Sequence, residues 1–187
     1  MTNKEKIINY YHNLDRGQFM DNFKEQAHID APFPIGFGQT ISQPSLVLKM
    51  TILLDVDENS RALEVGTGSG FQTALLAKAS KYVYTVERIE KLHLSAKERL
   101  TQMSYTNISY KLGDGSLGWE EHAPYDRIMV TASAPKLPDA LVAQLAANGK
   151  MVIPVGTDLM LITKNKNNQI TKEAVANVRF VSLIKDH

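Results

Sequence analysis

The chain has 187 residues, no cysteine, and 21 Lys and Arg against 20 Asp and Glu, which gives a formal net charge of +1. This length predicts a single domain with a sizeable core, and the missing cysteines exclude disulfides, thiolate metal sites and cysteine nucleophiles. The balanced charge does not indicate nucleic-acid binding, and the polar start without a long apolar run predicts a soluble, cytoplasmic protein that does not enter a membrane.

The N-terminal part of the chain predicts a helical cap followed by a loop. Residues 3–28 carry helical periodicity with a break at Gly17, and residues 30–38 hold two prolines and two glycines, which favour a loop. Ser42 then has the character of a helix N-cap, because Pro44 follows in what would be the first turn of an apolar helix.

The rest of the chain alternates between strand and helix patterns. This alternation predicts an α/β fold with a doubly wound, mostly parallel sheet. Two β-rich runs separated by a polar turn predict a C-terminal antiparallel hairpin that finishes the sheet. The predicted ranges are strand 62–65, helix 71–80, strand 82–86, helix 89–103, strands 108–112 and 127–131, helix 138–146 ended by Gly149, strand 150–155, and the hairpin runs 159–163 and 175–184.

Residues 61–70 read Arg-Ala-Leu-Glu-Val-Gly-Thr-Gly-Ser-Gly and predict a buried strand that enters a glycine-rich turn before a helix. Such a turn brings the backbone close to a nucleotide-type cofactor. A dinucleotide fingerprint would have a further glycine where this chain has Phe71. Glu64, two residues before the first glycine, would also repel a pyrophosphate. Both departures favour S-adenosylmethionine over NAD.

Two acidic residues follow at the ends of later predicted strands. Glu87 lies about twenty residues past the first glycine, where a carboxylate accepts hydrogen bonds from ribose hydroxyls. Asp114 is flanked by Gly113 and Gly115, and its carboxylate is suited to an adenine amino group. Taken separately, each residue has a simpler interpretation: Glu87 as a solvated carboxylate at a strand end, and Asp114 as part of an ordinary turn. Together they fit ligand binding at the carboxyl ends of parallel strands.

Several segments resemble the protein-L-isoaspartate O-methyltransferases, which repair isomerised aspartyl residues with S-adenosylmethionine. The resemblance covers nearly everything after residue 27, and the segment Gly-Gln-Thr-Ile-Ser-Gln-Pro at 38–44 is close to family-specific. Two positions, His28 and Ser45, depart from the residues common in the family. The matching segments are 30–44, 62–70, 113–119, 123–128, 130–135, 149–156 and 178–183.

The resemblance implies a Rossmann-like class I methyltransferase, with residues 1–54 on the substrate side and 55–187 forming the cofactor-binding core. It places Ser42 in the active site as the catalytic residue; the hydroxyl and the N–H groups at a helix N-terminus would together seat a substrate carboxylate. Without the family, Ser42 is a helix N-cap, and the two roles can coexist. The implied cofactor-binding residues are Gln39, Thr40, Ile41, Ser42, Glu64, Gly66, Thr67, Gly68, Gly70, Glu87, Arg88, Asp114 and Gly115.

The implied activity is methyl transfer from S-adenosylmethionine to the α-carboxylate of L-isoaspartyl residues in proteins or peptides, with S-adenosylhomocysteine as product. A carboxylate is already ionised at pH 7, so the reaction requires no general base, and no metal is expected. The alternatives are a methyltransferase of the same scaffold for another peptide or small-molecule carboxylate, and a cofactor-binding module without catalysis. A monomer is the favoured assembly.

Overall fold

The computed structural model describes residues 1–184. Residues 185–187, the short C-terminus, lie outside the described residues. Within the described part of the chain, none of the helices combines the length and apolar character needed to cross a bilayer. The elements are α1 (Asn3–His12), β1 (Phe33–Gly36), β2 (Gln39–Ile41), α2 (Pro44–Leu54), β3 (Arg61–Val65), α3 (Phe71–Ala79), β4 (Tyr82–Glu87), α4 (Glu90–Gln102), β5 (Ile108–Leu112), β6 (Tyr125–Val130), α5 (Asp139–Gln144), β7 (Leu145–Val155), β8 (Asp158–Lys164) and β9 (Ile170–Asn177).

The seven main strands form one sheet in the order β5-β4-β3-β6-β7-β8-β9. The five strands from β5 to β7 are parallel, and β8 and β9 complete the sheet as an antiparallel hairpin. The predicted fold class is therefore confirmed. The chain builds outward from β3 in both directions, so the order reverses between β3 and β6. Open α/β sheets bind ligands at such a point, outside the carboxyl ends of the strands.

The central strands β3 and β6 are covered on both faces, so consecutive apolar residues along each strand are buried. Ala62, Leu63, Ile128 and Met129 are fully buried, as expected for parallel strands between two layers of helices. One core cluster includes Met50 from α2 and Leu76 from α3, and a second lies on the other face of the sheet around Leu141 of α5. This packing fixes the carboxyl ends of β3, β4 and β6 relative to one another.

The helical cap is shorter than its sequence pattern predicts. Only Asn3–His12 forms an α-helix, and two short 3₁₀ turns, Arg16–Phe19 and Lys24–Gln26, follow it. The prediction that 30–38 is a loop is wrong for residues 33–36, which form β1 and pair with β2 in a small antiparallel hairpin. Its turn holds Phe37 and both neighbouring glycines at positive φ, a conformation that glycine adopts without strain.

The last elements also differ from the predicted boundaries. Helix α5 ends at Gln144, and β7 begins directly at Leu145, so Gly149 lies within a strand. The hairpin partner of β8 is β9 at Ile170–Asn177, not the run 175–184. A turn of only five residues, 165–169, pairs Lys164 with Ile170, so the returning strand is complete before residue 178.

Candidate active site

A cleft opens at the carboxyl ends of β3, β4 and β6, beside the point where the strand order reverses. Its empty volume, which includes space open to solvent, is about 790 Å³. Ten of the thirteen residues predicted to bind a cofactor line it: Gln39, Thr40, Ile41, Ser42, Gly66, Thr67, Gly68, Glu87, Arg88 and Gly115. Segments separated by up to 76 positions in the sequence therefore form one wall.

The glycine turn uses its own N–H groups. Gly66 N donates to the Val86 carbonyl at 2.9 Å, Gly70 N to the Thr67 carbonyl at 2.9 Å, and Gly68 N to Glu87 Oε2 at 2.9 Å. A phosphate-binding turn leaves such donors for the ligand. Because all three donors are satisfied within the protein and one of them by a carboxylate, the turn is poorly suited to a pyrophosphate.

Gly66 shows why this turn requires glycine at its first position. Its φ of +96° is unfavourable for residues with a side chain, and a Cβ there would collide with the Thr131 hydroxyl. Thr131 Oγ1 donates to the Gly66 carbonyl at 2.7 Å. The contact between the turn after β3 and the residue after β6 therefore forms the floor of the cleft.

Glu87 connects β4 to the glycine turn. Only 6% of the residue is exposed, and its two carboxylate oxygens accept from Gly68 N at 2.9 Å and Ile89 N at 3.0 Å. Each carboxylate oxygen has two acceptor sites, so one site on each remains for a ligand hydroxyl. This position agrees with the predicted ribose contact, which stays a prediction.

Glu64 was predicted to lie beside the cofactor, but the structure places it behind the wall of the cleft. The residue is fully buried, does not line the cleft, and accepts at Oε2 from Thr73 at 2.5 Å and from Thr85 at 2.6 Å. Oε1 has no hydrogen-bond partner among residues 1–184. Burial raises the pKa of this carboxyl from 4.5 to about 8, against the opposing effect of the two threonine hydrogen bonds.

A line of hydroxyls joins Glu64 to the cleft. Thr85 Oγ1 lies 2.6 Å from Thr67 Oγ1, and Thr67 lines the cleft. When Thr85 donates its single hydrogen to Glu64, Thr67 must donate to Thr85. The Thr67 oxygen then presents only acceptor capacity toward the cleft, and Glu64 is connected to the cleft through Thr85 and Thr67.

Two other predicted residues lie outside the lining of the cleft. Gly70 is the N-cap of α3 with φ +86°, and a Cβ there would press on Leu100, so this glycine permits close helix packing. Asp114 precedes Gly115, which lines the cleft, and its carboxylate accepts from Ser116 N at 2.8 Å. The predicted adenine contact of Asp114 stays a prediction.

The prediction that Ser42 caps α2 is wrong. Pro44 is the first helical residue, so the N-cap is Gln43, and the Gln43 side chain makes no capping bond. The carboxylate of Asp30 caps the helix instead: it accepts from Ser45 N at 2.8 Å, Ser45 Oγ at 2.8 Å and Gln43 Nε2 at 2.9 Å. These bonds lower the pKa of Asp30, chiefly through the Ser45 backbone N–H.

This cap changes what the start of α2 can offer a substrate. Pro44 has no N–H, Ser45 N is bound to Asp30, and the next two N–H groups donate to the Gln43 carbonyl at 3.1 Å. The first positions of α2 therefore do not offer the free N–H groups that were expected to bind a substrate carboxylate. In contrast, the Ser42 hydroxyl forms no hydrogen bond with any described residue, and Ser42 lines the cleft.

Arg16 holds the segment that carries Ser42, and nothing in the sequence pattern singled it out. Its guanidinium is buried, with 5% of the residue exposed. It donates to the carbonyls of Ala27, Ile29, Ala31 and Ser42 at 2.8–3.2 Å. Five donors in a fixed planar fork allow one side chain to bind several carbonyls. Arg16 therefore fixes the path of residues 27–42 and the position of the Ser42 backbone.

A second cavity, here called the side groove, adjoins the cleft. Thr40, Ser42, Thr131 and Val181 line both. The remaining groove residues are Pro32 before β1, Thr157 in the turn between β7 and β8, Gln43, Ser45, Leu46 and Lys49 from the start of α2, and Ala176, Asn177, Val178, Arg179 and Phe180 from the end of β9 and the segment after it. Ser42 thus lies at the junction of two spaces, one able to hold a cofactor and one open to an acceptor.

Residues 181–184 line the cleft although the sequence assigned them to a strand. Ser133 N donates to the Val181 carbonyl at 2.7 Å, and Leu183 N donates to the Ser133 carbonyl at 2.8 Å. These bonds draw the segment after β9 across the mouth of the cleft. The match of 178–183 to the family was the available signal, but the strand pattern concealed its role.

The family model for "Protein-L-isoaspartate(D-aspartate) O-methyltransferase (PCMT)" matches residues 1–187. A protein-L-isoaspartate O-methyltransferase of Photobacterium profundum is 48% identical over 183 residues, which are 96% of this chain and 88% of that protein. One from a Polaromonas species is 49% identical over 163 residues, 84% of this chain and 77% of that protein. A Plasmodium falciparum structure assigned to this enzyme, in complex with S-adenosyl-L-homocysteine, has a TM-score of 0.83 and 32% identity, covering 97% of this chain and 91% of that chain.

Proposed function

Because the chain belongs to the protein-L-isoaspartate(D-aspartate) O-methyltransferase family, we infer that it transfers a methyl group from S-adenosylmethionine to the α-carboxylate of L-isoaspartyl residues in damaged proteins. One observation carries the inference: Thr40, Ser42, Thr131 and Val181 form a wall common to the cleft and the side groove. A methyl donor in the cleft and a peptide in the groove would meet at this wall.

The cleft fits S-adenosylmethionine better than a dinucleotide. Its apolar residues Val65, Val86 and Ile89 suit a neutral base and a thioether. The N–H groups of the three glycines in the turn already donate within the protein. Glu87 would hold the ribose hydroxyls, and Thr67 would accept from the amino acid part. When bound, the cofactor supplies an electrophilic methyl on a sulfonium and leaves as a neutral thioether.

We propose that Ser42 orients the acceptor carboxylate. Its hydroxyl is not used by the helix cap. The Ser42 backbone is held in place because its carbonyl accepts from Arg16 at 3.0 Å. The acceptor is ionised at neutral pH and needs no base. The protein's contribution is therefore to position the carboxylate and to exclude water, and the segment after β9 helps to close the mouth of the cleft.

The same geometry explains why an isoaspartyl residue would be distinguished from a normal one. The two carboxylates differ by one methylene in their distance from the chain. A site that fixes both the carboxylate and the peptide backbone places only one of them in line with the methyl, and a misplacement of about 1 Å can cost on the order of a hundredfold in rate.

Methyl transfer from labelled S-adenosylmethionine to an isoaspartyl peptide, compared with its normal aspartyl twin, tests the function. We expect labelling of the isoaspartyl peptide alone. Equal labelling of both, or labelling only of a small-molecule acid, would contradict it. We further propose that residues 1–54 serve mainly the acceptor side and 55–187 the cofactor, and that the chain acts as a cytoplasmic monomer without nucleic acid; sedimentation of the purified protein checks the monomer.

A further inference from the structure

The side groove carries a charge pattern that the methyl-transfer chemistry itself does not require. Lys49 on α2 and Arg179 after β9 line it, and among residues 1–184 no Asp or Glu does. Both side chains are exposed, and neither forms an ion pair or a hydrogen bond with another residue of the described chain. Two unpaired cations therefore face the space next to Ser42.

Two carboxylates on elements that adjoin the groove are held by hydrogen bonds to other residues. Asp30 is directed to Gln43 and Ser45, which hold it through three hydrogen bonds at the start of α2. Asp158 contacts the Asn177 amide at 3.2 Å. Neither acid lines the groove.

We propose that the side groove selects isoaspartyl segments that carry Asp or Glu next to the damaged residue, with Lys49 and Arg179 as the specificity-determining residues. This inference rests on the proposed function, because it takes the groove as the acceptor site. Complementary charge raises the encounter rate and lowers the dissociation rate of a peptide, and it disfavours basic segments by repulsion.

Three peptides with one isoaspartyl centre and flanking Glu, Gln or Lys residues test the proposal. An exposed ion pair changes affinity by roughly 1.5- to 5-fold. With two cations, kcat/KM should decrease from the Glu to the Lys peptide by about tenfold at low ionic strength, mainly through KM. The preference should nearly disappear in 1 M salt, where the Debye length is about 3 Å.

The double substitution Lys49→Glu and Arg179→Glu should reverse the order of the three peptides. Lys97→Glu is the matched control, because Lys97 is an exposed lysine on α4 and does not line the groove; it should leave the order unchanged. Binding of fluorescent peptides in the presence of S-adenosylhomocysteine should show the same preference without turnover.

The outcomes separate this inference from the function on which it rests. Equal kcat/KM for the three peptides, while the normal aspartyl twin stays unlabelled, would overturn the charge selection and leave the function intact. An unchanged order in the double variant would have the same meaning. Failure to label any isoaspartyl peptide would refute the proposed function and this inference with it.

Discussion

The buried carboxyl of Glu64 should make folding stability depend on pH in a way that one substitution removes. Its pKa is raised to about 8 by burial, so the folded protein holds a proton that the unfolded chain releases near 4.5. A group with a raised folded pKa contributes stability that is fully present below the unfolded pKa and is lost as pH rises through the folded pKa. The affected window is therefore pH 4.5 to about 8.

The magnitude follows from the proton count. Each pH unit inside the window costs about 1.4 kcal/mol, so this carboxyl should remove about 2 kcal/mol of unfolding free energy between pH 6 and pH 8. In Glu64→Gln the amide oxygen can still accept from Thr73 and Thr85, and the NH₂ group takes the place of the unpartnered Oε1. Because glutamine does not titrate, this contribution becomes independent of pH.

Urea unfolding followed through Trp119, the one tryptophan of the chain, measures the difference. The variant should gain about 2 kcal/mol relative to the natural protein on going from pH 6 to pH 8. The other titrating groups are common to both proteins, so their contributions cancel in the difference between the two unfolding free energies. Glu98→Gln, at an exposed position on α4, is the control and should leave the profile unchanged. Parallel profiles for the natural protein and Glu64→Gln would refute the reasoning.

Three further substitutions test the site. Ser42→Ala should reduce kcat while S-adenosylmethionine affinity and the melting temperature stay close to those of the natural protein, because the hydroxyl does not cap α2; a lower melting temperature with full turnover would contradict this. Glu87→Gln should weaken cofactor binding in calorimetry by about 1.5–3 kcal/mol, the contribution of hydrogen bonds to a charged group, and unchanged affinity would remove Glu87 from the ribose contact. Asp30→Ala should cost about 1 kcal/mol of stability as a lost cap, measured by thermal unfolding, whereas Glu25→Ala, at an exposed position of the same segment, should cost much less.

Short-range patterns predicted the core of the fold well. The strand at 62–65, the turn at 66–70 and the helix from Phe71 are consecutive in sequence, and each depends on residues within a few positions. The acidic residue at the end of β4 was predicted in the same way, from its spacing after the first glycine. Both Glu87 and the turn line the cleft.

The same kind of reasoning failed where a distant residue competes with a local one. Ser42 has the composition of a cap, but Asp30, twelve positions earlier, takes the helix N–H. Glu64 lies beside the glycine turn in sequence, yet alternation along β3 directs its side chain to Thr73 on α3. A linear pattern does not show which of two residues makes a given hydrogen bond. It also does not show which face of a strand a ligand occupies.

The sequence by itself determined the cofactor class, the order of strands and helices, and the family, because these depend on local backbone requirements and on motifs of fixed spacing. Only the tertiary structure decided how the acceptor side is built. The buried guanidinium of Arg16 donates to carbonyls between residues 27 and 42, and the Val181 carbonyl accepts from Ser133 N. Such contacts join segments far apart in the chain, and their geometry exists only once the sheet has brought them together.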